Sequence, residues 1–226
     1  FLNEIDLKPN FFIPVAAFHG DNIANKSAKM PWYKEENILE ALDKFKKQPS
    51  AEHQVLRMPV QDIYKFTEEG DERRIVVGRI ETGTVKVGED IVFLPSGKKN
   101  RIKSVEYFNG PVRSEAFAAQ SAGFTMDTEI YIRPGEVMVK TAEKQPSVSN
   151  KFKANVFWMG KQALVQGKTY KLKIATQQVP VILSEIIHVL NASDLVSIKK
   201  DHVARHEVGE CIFETAKPVA FDLVGD

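Results

Sequence analysis

The 226-residue chain is predicted to be mainly β, with two consecutive antiparallel β-barrels preceded by a short α/β stub. Three observations carry that prediction. From about residue 51 onward, short β-branched and aromatic runs recur every roughly 8–12 positions between turn signals. The series pauses once, at the polar stretch Lys140–Asn150, and then resumes. Only the first 50 residues pair a continuous apolar run with a helical stripe. The expected division is therefore 1–50 for the stub, 51–145 for the first barrel and 146–226 for the second.

In the stub, Phe11-Phe12-Ile13-Pro14-Val15 reads as a strand buried on both faces of a parallel sheet. Asn37–Lys47 reads as an amphipathic helix, with Ile38, Leu39, Ala41, Leu42 and Phe45 on one stripe and Asn37 with Glu40 as a capping box. One strand and one helix are too little to hold a core, so this block is expected to pack on the rest of the chain or to be partly disordered.

In the first barrel the expected strands are Val55–Tyr64, Arg73–Glu81, Asp90–Phe93, Lys99–Tyr107 and Thr128–Ile132. Turns fall at Glu69-Gly70-Asp71, Val87-Gly88-Glu89, Pro95-Ser96-Gly97 and Asn109-Gly110-Pro111. Arg101–Tyr107 alternates polar and apolar residues, which predicts one wet face. Ala116–Ala122 fits a strand or loop as well as a short helix. Lys140–Asn150, with Pro146, is read as a linker. The second series runs through Asn150–Met159, Thr169–Ile174, Gln178–Val189, Leu195–Lys199, Val203–Phe213 and Val219–Leu223.

Composition narrows function. Lys plus Arg number 31 against 30 Asp plus Glu, so net charge gives no general reason to expect nucleic acid or an anionic membrane as partner. No apolar run reaches the roughly 20 residues that a membrane helix needs. The lone cysteine, Cys211, cannot form an internal disulfide; on a strand-like segment it reads as a buried structural thiol and fits a reducing cytoplasm. No G-x-x-x-x-G-K-[ST] loop occurs, and Gly97-Lys98-Lys99 has neither the earlier glycine nor the following hydroxyl. That loop cradles nucleotide phosphates on backbone N–H groups. The chain is therefore not expected to hydrolyse a nucleotide by itself.

Other constellations have bland readings beside sharper ones. His202 and His206, four apart, would share a helix face as metal ligands, but their surroundings read as strand and turn, so solvated histidines are expected. Lys98–Lys103 can meet phosphate but reads as a wet strand edge. Glu68-Glu69-Gly70-Asp71-Glu72 reads as a hairpin tip rather than a cation site. Trp158 and Met159 read as core or interdomain packing, with partner docking as the alternative. No paired-carboxylate or nucleophile–base spacing stands out.

Several runs resemble the translation-factor branch of GTPases. Ile13-Pro14-Val15-Ala16-Ala17-Phe18-His19-Gly20-Asp21-Asn22-Ile23 resembles the end of such a G domain. Leu56-Arg57-Met58-Pro59-Val60-Gln61 and Gly78-Arg79-Ile80-Glu81-Thr82-Gly83-Thr84-Val85-Lys86-Val87-Gly88 are similar to the start of its β-barrel domain. Asp21–Ser27 leading to Met30-Pro31-Trp32-Tyr33, Leu94–Lys98 with Arg101–Val105, Val156–Met159, Gly167–Lys173 and Phe213–Val219 resemble the large, GTP-binding subunit of sulfate adenylyltransferase in particular. What the resemblance implies is a GTPase, using GTP and magnesium when intact, that drives adenylyl transfer from ATP to sulfate in a small catalytic ATP sulfurylase subunit. It implies that this chain is a non-catalytic piece of that machine, with no nucleotide expected on it and with GTPase activity belonging to the intact parent. By position, Ala16, Ala17 and Phe18 match the family's last guanine-recognition motif, in which a backbone N–H meets the base. The alternative implied is the barrel portion of an elongation factor of the Tu type, carrying aminoacyl-tRNA; outside it nucleic acid is not expected. By family pattern, a further strand after Val219–Leu223 would close the second barrel.

Overall fold

The computed structural model describes residue 2 and residues 7–65, 70, 73–107, 110, 113–191 and 197–224. The chain divides into two compact units, Phe1–Pro49 and Ser50–Asp226.

The first unit is built around one loop and one short helix. Helix α1 (Ile38–Asp43) has the expected capping box: Glu40 N–H donates to Asn37 Oδ1, and Asn37 N–H donates to Glu40 Oε2, both at 3.0 Å. Such a cap supplies about 1 kcal/mol, a large share for six residues. Of the apolar stripe only Ala41 is buried; Leu39, Leu42 and Phe45 are exposed. The run 11–15 corrects the sequence reading, since it is not a strand and Phe12 is exposed. A strand needs a ladder; Pro14 brings no N–H to one, and among the described residues no neighbouring strand pairs with this run.

The second unit begins with a closed six-stranded barrel. Its strands are β1 (Met58–Lys65), β2 (Arg74–Arg79), β4 (Asp90–Leu94), β5 (Lys98–Glu106), β7 (Ser121–Met126) and β8 (Val137–Lys140), in the spatial order β1-β2-β7-β5-β4-β8. Pairing of Met58 with Met138 joins β1 to β8 and closes the ring. Bulges at Val60/Asp62 and Ile102/Ser104 bend β1 and β5, as closure of a small barrel requires. A ribbon of β3 (Thr84–Lys86) and β6 (Glu115–Phe117) lies off the ring. Met58, Ile80, Ile91, Phe93, Ile102, Phe124 and Met138 fill the interior. The expected strand at 128–132 is absent, and β7 takes its place seven positions earlier.

The second block is an antiparallel sheet with path β11-β12-β15-β9: Thr169–Ile174, Gln177–Asn191, Glu207–Phe221 and Ser147–Phe157. β13 (Ser197–Ile198) adds to β12, while β10 (Leu164–Val165) pairs β14 (His202–Val203). Leu183, Val189 and Cys211 on the two inner strands are fully buried, whereas Phe152, Ala154, Val156, Tyr170 and Leu172 on β9 and β11 are half-buried. The core thins toward those two edges because, among the described residues, each has one partner strand. This path is open where the first barrel is closed.

The segment read as a linker is pinned. Glu143 accepts from Leu56 N–H at 2.5 Å, Lys140 Nζ lies 2.9 Å from Glu89 and 3.5 Å from Glu143, and Gln145 Nε2 donates to Lys140 and Glu143 carbonyls.

Candidate functional site

The sequence points first to Ala16, Ala17 and Phe18, and the structure places them on a tight, braced loop. Ala17–His19 form a single 3-10 turn, closed by His19 N–H donating to Ala16 O at 3.0 Å and Gly20 N–H to Ala17 O at 3.1 Å. Gly20 comes next at φ +73°, a left-handed position suited to glycine. The N–H groups of Ala17 and Phe18 open the turn and, as the first donors of any helical turn, have no acceptor within it. Phe18 is 96% exposed and meets His19 edge-on at 5.2 Å.

The brace is a residue to which sequence reasoning assigns no role. Asn22 is buried, sits at φ +58°, donates from Nδ2 to Pro14 O at 2.8 Å and accepts from Ser27 N–H at 2.8 Å. Asparagine tolerates this backbone region, and its amide replaces main-chain partners that a turn leaves unmet. Asp21 accepts from Ser27 Oγ at 2.7 Å. Ile38 N–H donates to Asn22 O and Leu39 N–H to Ile23 O, so the start of α1 holds the far side of the loop. The signal that could have identified Asn22 is a polar residue two after a glycine and ahead of a cap.

The side chains at positions 16–18, two alanines and a phenylalanine, include no acid or base; beside them the turn ends on the exposed imidazole of His19. None of these three side chains can take up or release a proton.

The remaining candidates are not brought together. His202 pairs with Asp201 at 2.7 Å, and that bond holds the Asp201 carboxyl below its usual range. His206 instead stacks on Phe157 at 6.5 Å, in a turn at φ +70°. Among the described residues no group of three or more His, Cys, Asp or Glu could hold a metal. Arg101 makes a two-pronged pair with Asp90 at 2.8 and 3.1 Å, which lowers the Asp90 pKa, chiefly through the hydrogen bond. Glu68, Glu69, Asp71 and Glu72 lie outside the described residues. Trp158 is a packed residue: its Nε1 donates to Gln162 O at 2.7 Å and its ring meets Tyr170 edge-on at 5.8 Å. A cleft of about 820 Å³ in the barrel wall, lined by Ile63, Arg74, Lys103, Thr125, Glu129 and Tyr131, mixes both charges.

Cys211 is fully buried, and desolvation pushes its thiol up to about 11. A thiol in that state is neutral at pH 8 and is a poor nucleophile. Ellman's reagent at pH 8 is therefore expected to leave it unmodified for as long as the sheet stays folded, and to titrate it fully in denaturant. Rapid labelling of the native chain would contradict the buried position.

Comparison with known proteins gives the context. Residues 151–226 match the model of the GTP-eEF1A C-terminal domain-like family, and residues 73–139 that of elongation factor Tu domain 2. Sulfate adenylyltransferase subunit 1 of Chromobacterium violaceum is 31% identical over 226 residues, all of this chain and 46% of the relative. The same subunit of Aliivibrio salmonicida is 31% identical over 95% of this chain and 44% of its own length. Elongation factor 1-alpha of Thermoplasma acidophilum is 30% identical over all of this chain and 53% of its own length. The chain thus spans about half the length of the curated relatives it matches. The solved structure of sup35 complexed with GDP shares the fold, with a TM-score of 0.67 at 20% identity over 96% of this chain and 52% of sup35. No helix among the described residues is long and apolar enough to cross a membrane.

Proposed function

We propose, on the premise that the chain is homologous along its whole length to sulfate adenylyltransferase subunit 1, that it is the transmitting portion of a GTP-dependent regulatory subunit of that enzyme. The single observation that carries this reading is a match, 31% identical overall, that spans all 226 residues and so takes in the stub and both β blocks. In this reading the residues divide as 1–50, 51–145 and 146–226. The intact protein, in the cytoplasm, binds GTP with magnesium and hydrolyses it, and the small catalytic ATP sulfurylase subunit joins ATP to sulfate. Ala16, Ala17 and Phe18 supply the guanine side of the pocket, the Ala17 N–H meeting the base oxygen. The chain contributes no acid, base or nucleophile to either reaction. Its β blocks pass the nucleotide state to the partner, which requires contacts that differ between the two states.

The experiment is co-elution of the chain with a purified small ATP sulfurylase subunit. A defined complex, with no GTP hydrolysis by the chain alone, is expected. The 30% identity to an elongation factor 1-alpha favours one rival, an aminoacyl-tRNA carrier. Protection of an aminoacyl-tRNA ester from hydrolysis, without sulfurylase binding, would replace the first reading with that one.

A further inference from the structure

Two contacts between the barrel and the second β block differ in kind. The first is polar and directional. Arg57 is anchored in the barrel by its main chain, its N–H donating to Thr82 O at 3.0 Å and its carbonyl accepting from Glu81 N–H at 2.9 Å. Its guanidinium leaves the barrel. Nε donates to Asp222 Oδ2 at 2.9 Å and Nη2 to Asp222 Oδ1 at 2.8 Å, a two-pronged grip on the residue just past β15. Nη2 also donates to Lys144 O at 3.1 Å in the pinned connector, and Nη1 to Leu56 O at 2.9 Å. The Arg57 side chain is 10% exposed, and the planar fork satisfies three segments at once in a way no lysine can.

The second contact is steric. The turn between β11 and β12 meets the barrel where Gly135, at φ +96°, lets Gln177 approach; a Cβ there would lie 3.1 Å from Gln177 Cα. Beside it, the buried hydroxyl of Thr176 has no hydrogen-bond partner among the described residues. It borders a cleft of about 370 Å³ lined by Pro59, Gln61, Arg79 and Glu81. The Thr176 hydroxyl therefore supplies no hydrogen bond that would fix the angle at this contact.

We propose that Arg57–Asp222 is a latch that sets the angle between the two β blocks, with the β11–β12 turn as the pivot. While the latch is closed the blocks act as one lever. When it opens, the second block rotates about the Gly135–Gln177 contact, and the connector around Lys144 loses its clamp.

The test uses the 226-residue chain with spin labels at Lys99→Cys in the barrel and Lys171→Cys on β11, both exposed positions. Buried Cys211 does not compete for the label. The parent is expected to give one narrow inter-label distance. Asp222→Ala and Arg57→Lys are each expected to broaden it, and Arg57→Lys, which loses the Nη2 bond to Lys144 O, to raise tryptic cleavage after Lys144 by about tenfold, since cleavage tracks the open population. Asp222→Asn, which keeps the shape and removes the charge, gives the same reading if the alanine variant does not fold. A narrow, unchanged distance in a folded Asp222 variant, with only a lowered unfolding midpoint, would overturn the proposal and leave the pair a plain stabilising contact.

Discussion

Phe124→Ala is expected to cost the barrel about 3–5 kcal/mol, measured as a lowered urea midpoint at unchanged slope. Phe124 sits on β7 opposite Val76 of β2 on one side and Val105 of β5 on the other, and is fully inaccessible to solvent. A closed ring cannot collapse onto the space left by a phenyl group without breaking a ladder, so the cavity remains and the upper part of the range applies. Domains of this kind hold about 5–15 kcal/mol in total, so the variant approaches the threshold of folding. Amide exchange should quicken first along β2, β5 and β7. A loss under about 1 kcal/mol would mean that position 124 faces out, which would shift β7 by one residue and invert its burial.

Strand β7 also shows where the sequence was opaque. Ser121-Ala122-Gly123-Phe124-Thr125-Met126 has too many small residues to score as a strand. The small residues are there because of packing: a Cβ on Gly123 would come within 2.5 Å of Ile75 Cγ2. The requirement that makes the barrel close removes the pattern by which a strand is recognised. β15 misled in the opposite direction. Thr215-Ala216-Lys217-Pro218 looks like a break between two strands, but the register shift between Glu214 and Val219 absorbs Pro218 within one long strand. By contrast Thr169–Ile174 was legible to the residue, because its strict alternation lies between Gly167 and the Ala175 turn. At the candidate site, the loop 16–18 was placed by resemblance, but its brace by Asn22 depends on a left-handed backbone that side-chain patterns do not announce. Arg57 was visible only as part of a similar run. That it reaches Asp222, 165 residues away, is a property of how the two β blocks fold against each other.

Gly83→Ala is the second large effect, and Gly88→Ala is its control. Both glycines hold a left-handed backbone, at φ +82° and +86°. An alanine at either position therefore suffers the same conformational strain, about 1–2 kcal/mol. Around Gly88 a new Cβ meets nothing within 4 Å. Around Gly83 it would lie 2.6 Å from Leu56 Cα and 2.7 Å from Leu56 N, main-chain atoms with no room to swing aside. Leu56 cannot retreat, because its side chain is fully buried in the core and its N–H is held by Glu143. Gly83 cannot retreat either: its N–H donates to Ala51 O at 2.8 Å and its carbonyl accepts from Ala118 N–H at 2.9 Å. The expected loss is about 3 kcal/mol or more at Gly83 against about 1–2 kcal/mol at Gly88, read as the difference between their urea midpoints. Equal losses would mean that the strand start before Met58 does not pass behind Gly83. Since Arg57 is the next residue after Leu56, the Gly83 variant should also disturb the grip on Asp222, whereas the Gly88 variant should leave it intact.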